Sequence, residues 1–222
     1  MNREVIKTAD GSKTLFVPDM NEQYHSVNGA LTESEYVFLK QGYLHHPSNS
    51  PVVFEVGFGT GLNALITALK AQEQKRQTIY ISIEKYPLSV HEISELEYDQ
   101  LISPAAAELF QKIHAANWNE DVKISEYFTL RKIEADLRTL PMQNLPQFDI
   151  VYFDAFGPDK QPDLWKPEIF ASIYAASKQG ACFVTYSAKG VIRRQLEATG
   201  FTMERLPGPP GKRQMLRGTV IL

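Results

Sequence analysis

The chain has 222 residues, 43% of them hydrophobic and 11% aromatic, which suffices for a full-sized core in one α/β domain. No apolar run approaches the ~18 residues of a membrane span, and the opening MNREVIKTAD lacks the apolar centre of a secretion signal, so a cytosolic enzyme is expected. The formal charge is −3, yet residues 178–222 carry eight basic side chains against Glu197 and Glu204; that end is either a polyanion-facing surface or a solvated face.

In chain order, Asp10-Gly11 between apolar runs predicts a hairpin over residues 4–17. After YHSVNGA, the capping box Thr32-Glu33-Ser34-Glu35 predicts a helix through about Gln41, closed by Gly42. The segment HHPSNSP resets the chain, and from Pro51 strand-like and helix-like runs alternate. PVVFEVG precedes the helical LNALITALKAQ, and TIYISIEK precedes a helical stretch from Leu88 to about Asn117. FTLRKIEA, FDIVYFDA and ACFVTYSA follow as strands, then the helix VIRRQLEATG and the strands FTMERL and TVIL. Cys182, alone of its kind and inside ACFVTY, reads as a core thiol, which excludes an internal disulfide and a multi-cysteine metal site. The pattern predicts an α/β, doubly wound, Rossmann-like parallel sheet covered on both faces. Residues 1–50 form a small hairpin and helix extension, and 51–222 the main domain.

FEVGFGTGLNALIT at residues 54–67 sets three glycines between a strand and a helix. A dinucleotide fingerprint fails because Leu62 stands at its third glycine, and a phosphate loop fails because no Lys-Ser/Thr pair follows. Glu55 directly before the loop repels a pyrophosphate and attracts a cation. S-adenosylmethionine carries a sulfonium and an ammonium and no phosphate, and E-x-G-x-G-x-G after the first strand is similar to the motif of class I methyltransferases. A plain strand-to-helix turn is the competing reading. Candidate cofactor contacts here are Glu55, Gly57, Phe58, Gly59, Gly61 and Asn63. Glu84, at the tip of the second strand and followed by Lys85, suits the ribose hydroxyls. Asp136, after the third strand, suits the adenine amino group, with Glu134 as the competing candidate. The fourth strand delivers Asp154, the catalytic candidate and with Phe156 a further cofactor contact, to the sheet edge; its alternative role is a turn former before Gly157-Pro158. Tyr152, Phe156 and Trp165 nearby suit a pocket that stacks a flat base.

EVGFGTGLN, SIEKYP, DAFGPDKQPDLW, SAKGVIRRQLEATGF and GPPGKRQMLRG, with YHSVNGALTESEYVF upstream, together resemble the bacterial tRNA wobble-uridine methyltransferases of the MnmC/MnmD family. The resemblance spans nearly the whole chain and departs in Gln161, where members often carry Asn, and in Gly157 at a small-residue slot. It implies N-methylation of a 5-aminomethyl group on (2-thio)uridine with S-adenosylmethionine as methyl donor. Asp154 then acts as proton acceptor. Lys189, Arg193, Arg194, Lys212 and Arg213 follow strand tips or lie in the C-terminal segment, which places them to engage phosphates of the tRNA anticodon region. Many members are fused to a flavin oxidase; this chain ends after its last strand, so a free-standing methyltransferase is expected, with a separate enzyme supplying the aminomethyl-uridine and no flavin. Other readings are an aminopropyltransferase of the same fold, a small-molecule amine methyltransferase, and a nicotinamide oxidoreductase or non-catalytic nucleotide-binding module, both disfavoured by Leu62 and Glu55. The five histidines show no metal spacing and no G-x-S-x-G elbow exists, so neither a metal nor a serine hydrolase is expected.

Overall fold

The computed structural model describes residues 2–98 and 103–221. A hairpin of β1 (Glu4–Lys7) and β2 (Lys13–Val17) is joined by the two-residue β3 (Glu22–Gln23) into a small antiparallel sheet. Helix α1 (Ala30–Ser34) continues through widened turns over Glu35–Tyr43, where the Leu44 N–H donates to the Leu39 carbonyl at 2.8 Å. Then come β4 (Val52–Val56), α2 (Leu62–Gln74), β5 (Thr78–Glu84), α3 (Val90–Leu96), α4 (Pro104–Ala115), β6 (Asp121–Ser125) and β7 (Phe128–Glu134). The chain closes with β8 (Phe148–Phe153), α5 (Pro167–Ala175), β9 (Ser177–Thr185), α6 (Gly190–Thr199), β10 (Phe201–Pro207) and β11 (Gln214–Val220).

The large sheet has the order β10-β11-β9-β8-β4-β5-β7-β6. Its five central strands run parallel, while β6, β10 and β11 pair antiparallel at the two sides. Strand order reverses at β4, which lies between β5 and β8, and that reversal opens a crevice at the carboxyl ends of these three strands. Alternation along the strands splits the core. In β8, Ile150 and Tyr152 face a cluster with Leu65 and Ala68 of α2 and Phe110 of α4, whereas Val151 and Phe153 face Phe170 of α5 and Leu196 of α6. The division at residue 50 is one of topology, since Val37, Phe38 and Tyr43 bury in the same cluster as α2.

Several local expectations change. The first helix begins at Ala30 rather than at Thr32, because its caps come from the hairpin turn: Ser12 Oγ accepts from the Ala30 N–H at 3.1 Å, and Asp10 Oδ2 from the Thr32 N–H at 2.9 Å. Gly42 does not close the helix. A Cβ there would come within 2.9 Å of the Tyr152 ring and 3.0 Å of Val184, so the glycine permits close packing on the sheet. The helical stretch expected over 88–117 is divided into α3 and α4, each capped by a serine, Ser89 and Ser103; residues 99–102 lie outside the described residues. Strand β6, with the polar sequence DVKIS, carried no expectation, nor did α5. Among the described residues no helix is long and apolar enough to cross a membrane.

Candidate active site

The glycine loop leaves β4 by turns that need positive φ at Gly57 (+91°), Gly59 (+50°) and Gly61 (+74°). A Cβ on Gly57 would sit 2.8 Å from the Asp154 carbonyl oxygen, so the absent side chain lets the loop lie against the end of β8. The loop is tied to β5 as well, through Gly57 and Phe58 N–H bonds to the Ile83 carbonyl at 3.0 and 3.2 Å. Gly61 gives α2 no side-chain cap, which leaves the helix start open to a ligand.

A cavity of about 280 Å³ stands over these strand ends. It is lined by Gly57, Phe58, Gly59, Asn63, Glu84, Lys85, Asp136, Asp154 and Phe156 among the expected residues. Glu84 is oriented by two backbone amides: Gly59 donates to its Oε2 at 3.1 Å and Tyr86 to its Oε1 at 2.8 Å. Asp136 borders the cavity, while Glu134 is exposed and off its wall. The Arg138 guanidinium, with Lys85 at 3.1 Å, holds the Asp136 carboxyl well below the usual carboxylate range. Asp154 Oδ2 accepts from Asn63 Nδ2 at 2.8 Å. Burial, reinforced by Glu33, pushes Asp154 up to about 8, against the lowering effects of Asn63 and Lys212.

Four expected residues stand elsewhere. Glu55 is fully buried beneath the loop on the α2 side of the sheet, accepting from Ser82 Oγ at 2.5 Å; burial pushes it up to about 8, so it offers the cavity no fixed negative charge near neutrality. Tyr152 faces the α2 side, its ring among Phe38 and Tyr80, and cannot stack a base. Trp165 packs against Phe153 and Phe170, and its Nε1 donates to the Phe156 carbonyl at 2.8 Å; it anchors the DAFGPDKQPDLW loop instead of lining the pocket. Gly61 shapes the turn and is absent from the cavity lining; a Cβ there would fall 3.0 Å from His114 and 3.1 Å from the Phe58 ring.

Other lining residues were not singled out from sequence. Tyr24 meets Phe156 edge to face with ring centres 5.0 Å apart and covers Gly59. His25 shares a hydrogen bond between Nδ1 and Thr14 Oγ1 at 3.0 Å, and burial holds it down at about 4, uncharged at neutral pH. Lys160 donates to the Met20 and Asn21 carbonyls at 2.8 and 3.1 Å, fastening the loop after β8 to the N-terminal sheet. Their sequence signal lay in YHSVNGALTESEYVF and DAFGPDKQPDLW, which carried no roles for these positions.

The basic residues divide. Lys189 pairs with Asp159, Arg193 with Glu197 along α6, and Arg194 and Arg213 are exposed. Lys212 turns inward to the buried Glu33. Among the described residues no group of three or more His, Cys, Asp or Glu side chains is placed to hold a metal.

Comparison with known proteins bears on the family and the fold. A family model described as S-adenosyl-L-methionine-dependent methyltransferase matches residues 97–221. Curated relatives called tRNA 5-methylaminomethyl-2-thiouridine biosynthesis bifunctional protein MnmC include one from Pseudoalteromonas translucida, 32% identical over 229 residues, covering 91% of this chain and 34% of the relative. Another, from Aeromonas salmonicida, is 33% identical over 222 residues, covering 90% and 33%. The chain thus spans about a third of the length of the curated relatives it matches. The crystal structure of MNMC2 from Aquifex aeolicus shares the fold, with a TM-score of 0.78 at 24% identity, covering 99% of this chain and 70% of that one. The family model matches more than half of the chain: the chain belongs to the S-adenosyl-L-methionine-dependent methyltransferases.

Proposed function

We propose that this methyltransferase acts on the 5-aminomethyl group of (2-thio)uridine at the tRNA wobble position, giving 5-methylaminomethyl-2-thiouridine. The residues present suit the donor. Glu84 keeps acceptor capacity on both oxygens after taking its two amide bonds, and the loop glycines leave open the space a Cβ would fill. When bound, S-adenosylmethionine supplies a methyl group on a sulfonium sulfur, which keeps the bonding pair as the methyl leaves for the amine. Glu84 would hold the ribose, the wall at Ala135, Asp136 and Leu137 would flank the adenine, and Gly57 and Gly59 would pass beside the amino-acid end.

The observation that carries the reading is Asp154, a carboxyl tied to Asn63 at the end of β8 in the same cavity as the glycine loop. A primary alkylamine titrates near ~10, so at pH 7 only roughly a thousandth of it is the neutral nucleophile. A carboxylate in contact accepts the surplus proton and holds the nitrogen. The substrate's positive charge lowers the Asp154 pKa on arrival, so the carboxyl ionises where it is needed. Orientation of the amine toward the methyl carbon contributes more than base strength, about 7–11 kcal/mol at best. Of the three aromatics expected to stack a base, Phe156 lines the cavity, and Tyr24 beside it supplies a second ring for a flat base.

The curated relatives, called tRNA 5-methylaminomethyl-2-thiouridine biosynthesis proteins, support a tRNA uridine as substrate, and the exposed Arg194 and Arg213 with Lys189 supply basic groups for phosphates. The aminopropyltransferase reading is not favoured, since the matching family transfers methyl groups. Action in the cytoplasm, and a separate enzyme that makes the aminomethyl-uridine, belong to the same proposal. Its test is label transfer from methyl-labelled S-adenosylmethionine to two otherwise identical tRNAs, with and without the wobble aminomethyl group. Label in the first alone is expected; equal labelling of both, or of neither, refutes the reading.

A further inference from the structure

Lys212 sits in the turn between β10 and β11, where its N–H donates to the Pro209 carbonyl at 2.9 Å. The turn is pressed onto the N-terminal segment: a Cβ on Gly211 would fall 2.0 Å from Asn28 Nδ2. This docking sends Arg213 to solvent and Lys212 inward. The Lys212 ammonium pairs with the buried Glu33 carboxylate and lies 3.9 Å from the centre of the Tyr186 ring. Glu33 is fixed from its other oxygen by the Ser26 N–H at 2.9 Å, next in the chain to the cavity-lining His25. Tyr186 is fixed by donating to the carbonyl of Ala155 at 2.8 Å, the residue after Asp154. Two short tethers therefore tie Glu33 and Tyr186, the two partners of Lys212, to Ser26 and Ala155, next in the chain to the cavity-lining His25 and Asp154.

A partly buried ion pair contributes little net stability against apolar packing, so stability gives little reason to keep one there. Capture of tRNA phosphate would call for an outward cation, as at Arg213. What remains is the effect of the charges on their neighbours. Asp154 is faced by Asn63 from α2, Glu33 from α1, Lys212 from the β10–β11 turn, Glu55 from β4, Tyr80 from β5 and Tyr186 after β9. Lys212 is in turn faced by Glu33, Tyr186, His25 and Asp154. A fixed ammonium beside the landing place of a second one disfavours the protonated form of the newcomer and favours the ionised form of the carboxylate that receives its proton. Glu33 acts in the opposite sense, and the pair sets the balance.

We propose that Lys212 is a positioning residue of the acceptor site, held by Glu33 and Tyr186 so that its charge favours delivery of the substrate as a neutral amine beside an ionised Asp154. This rests on the amine-methylating reading above. The test is the pH dependence of the single-turnover methylation rate for the whole protein with tRNA bearing 5-aminomethyl-uridine. Replacing Lys212 by Gln should move the acidic limb upward by about one pH unit, lowering the rate roughly tenfold at neutral pH and little at high pH, with tRNA affinity and its salt dependence unchanged. Lys212→Arg should restore the limb. Glu33→Gln should move it downward, and carries the test alone where Lys212→Gln fails to fold. A wild type that transfers no methyl refutes the amine reading. An active wild type whose limb stays in place in both neutral variants, or a Lys212→Gln variant that loses only salt-dependent tRNA affinity, overturns the inference.

Discussion

Replacing Glu84 by Gln tests the cofactor site with little change of shape. In the wild type both carboxylate oxygens accept a backbone N–H, from Gly59 and from Tyr86, and each keeps a lone pair for a ribose hydroxyl. A glutamine can present only one oxygen, so its NH₂ must face one of those amides, donor against donor. One amide loses its partner, and one ribose hydroxyl loses a charged acceptor. A hydrogen bond to a charged group contributes about 1.5–3 kcal/mol, which corresponds to roughly 10- to 150-fold in the dissociation constant. Calorimetric titration should show that loss equally for S-adenosylmethionine and S-adenosylhomocysteine, because they share the nucleoside. Unchanged affinity for both ligands would remove Glu84 from the site; weakening of S-adenosylmethionine alone would show that charge, not the ribose bonds, is at stake.

Gly57→Ala places a side chain at φ +91° and within 2.8 Å of the Asp154 carbonyl oxygen, so thermal melts should report a loss of roughly 2–4 kcal/mol together with loss of cofactor binding. Asp154→Asn should lower single-turnover methylation by about a hundredfold or more while leaving cofactor affinity within a few-fold. The same variant has a stability signature. Because burial raises Asp154 to about 8, the wild type loses stability as pH rises from about 4 to 8, and the asparagine does not. The melting temperature of the variant relative to wild type should therefore climb between pH 5 and 8 and then level off; a constant difference argues against a neutral buried Asp154. Arg194→Ala with Arg213→Ala should weaken tRNA binding and flatten its salt dependence by up to about two phosphate contacts, and an unaltered slope places the tRNA on another face.

The parallel sheet and its crevice were legible because β4, β5 and β8 are apolar runs with an acid at or next to their ends, and because the three loop glycines serve turns that other residues strain to make. The same property hid the roles of Glu55 and Tyr152. A strand buried on both faces has no polar side to mark direction, so a residue one step before the strand end cannot be told from one that reaches the ligand. Trp165 misled for a related reason, since an aromatic beside a catalytic loop serves equally as its anchor. Edge strand β6 is too polar to stand out by hydropathy, and it needs only one covered face. Tyr24, His25 and the Glu33–Lys212 pair depend on contacts between the N-terminal segment, the strand ends and the last turn, separations that no local pattern encodes. A charge count placed Lys212 correctly among cations and could not tell that it turns inward.

The most direct measurement is nucleoside analysis of tRNA carrying 5-aminomethyl-2-thiouridine after incubation with the protein and methyl-labelled S-adenosylmethionine. The expected result is conversion of the wobble nucleoside to 5-methylaminomethyl-2-thiouridine, with the label on the amine nitrogen and conversion lost with Asp154→Asn. Label on a ring atom, on the ribose or on another nucleoside, or full conversion by the Asp154→Asn protein, would contradict the account.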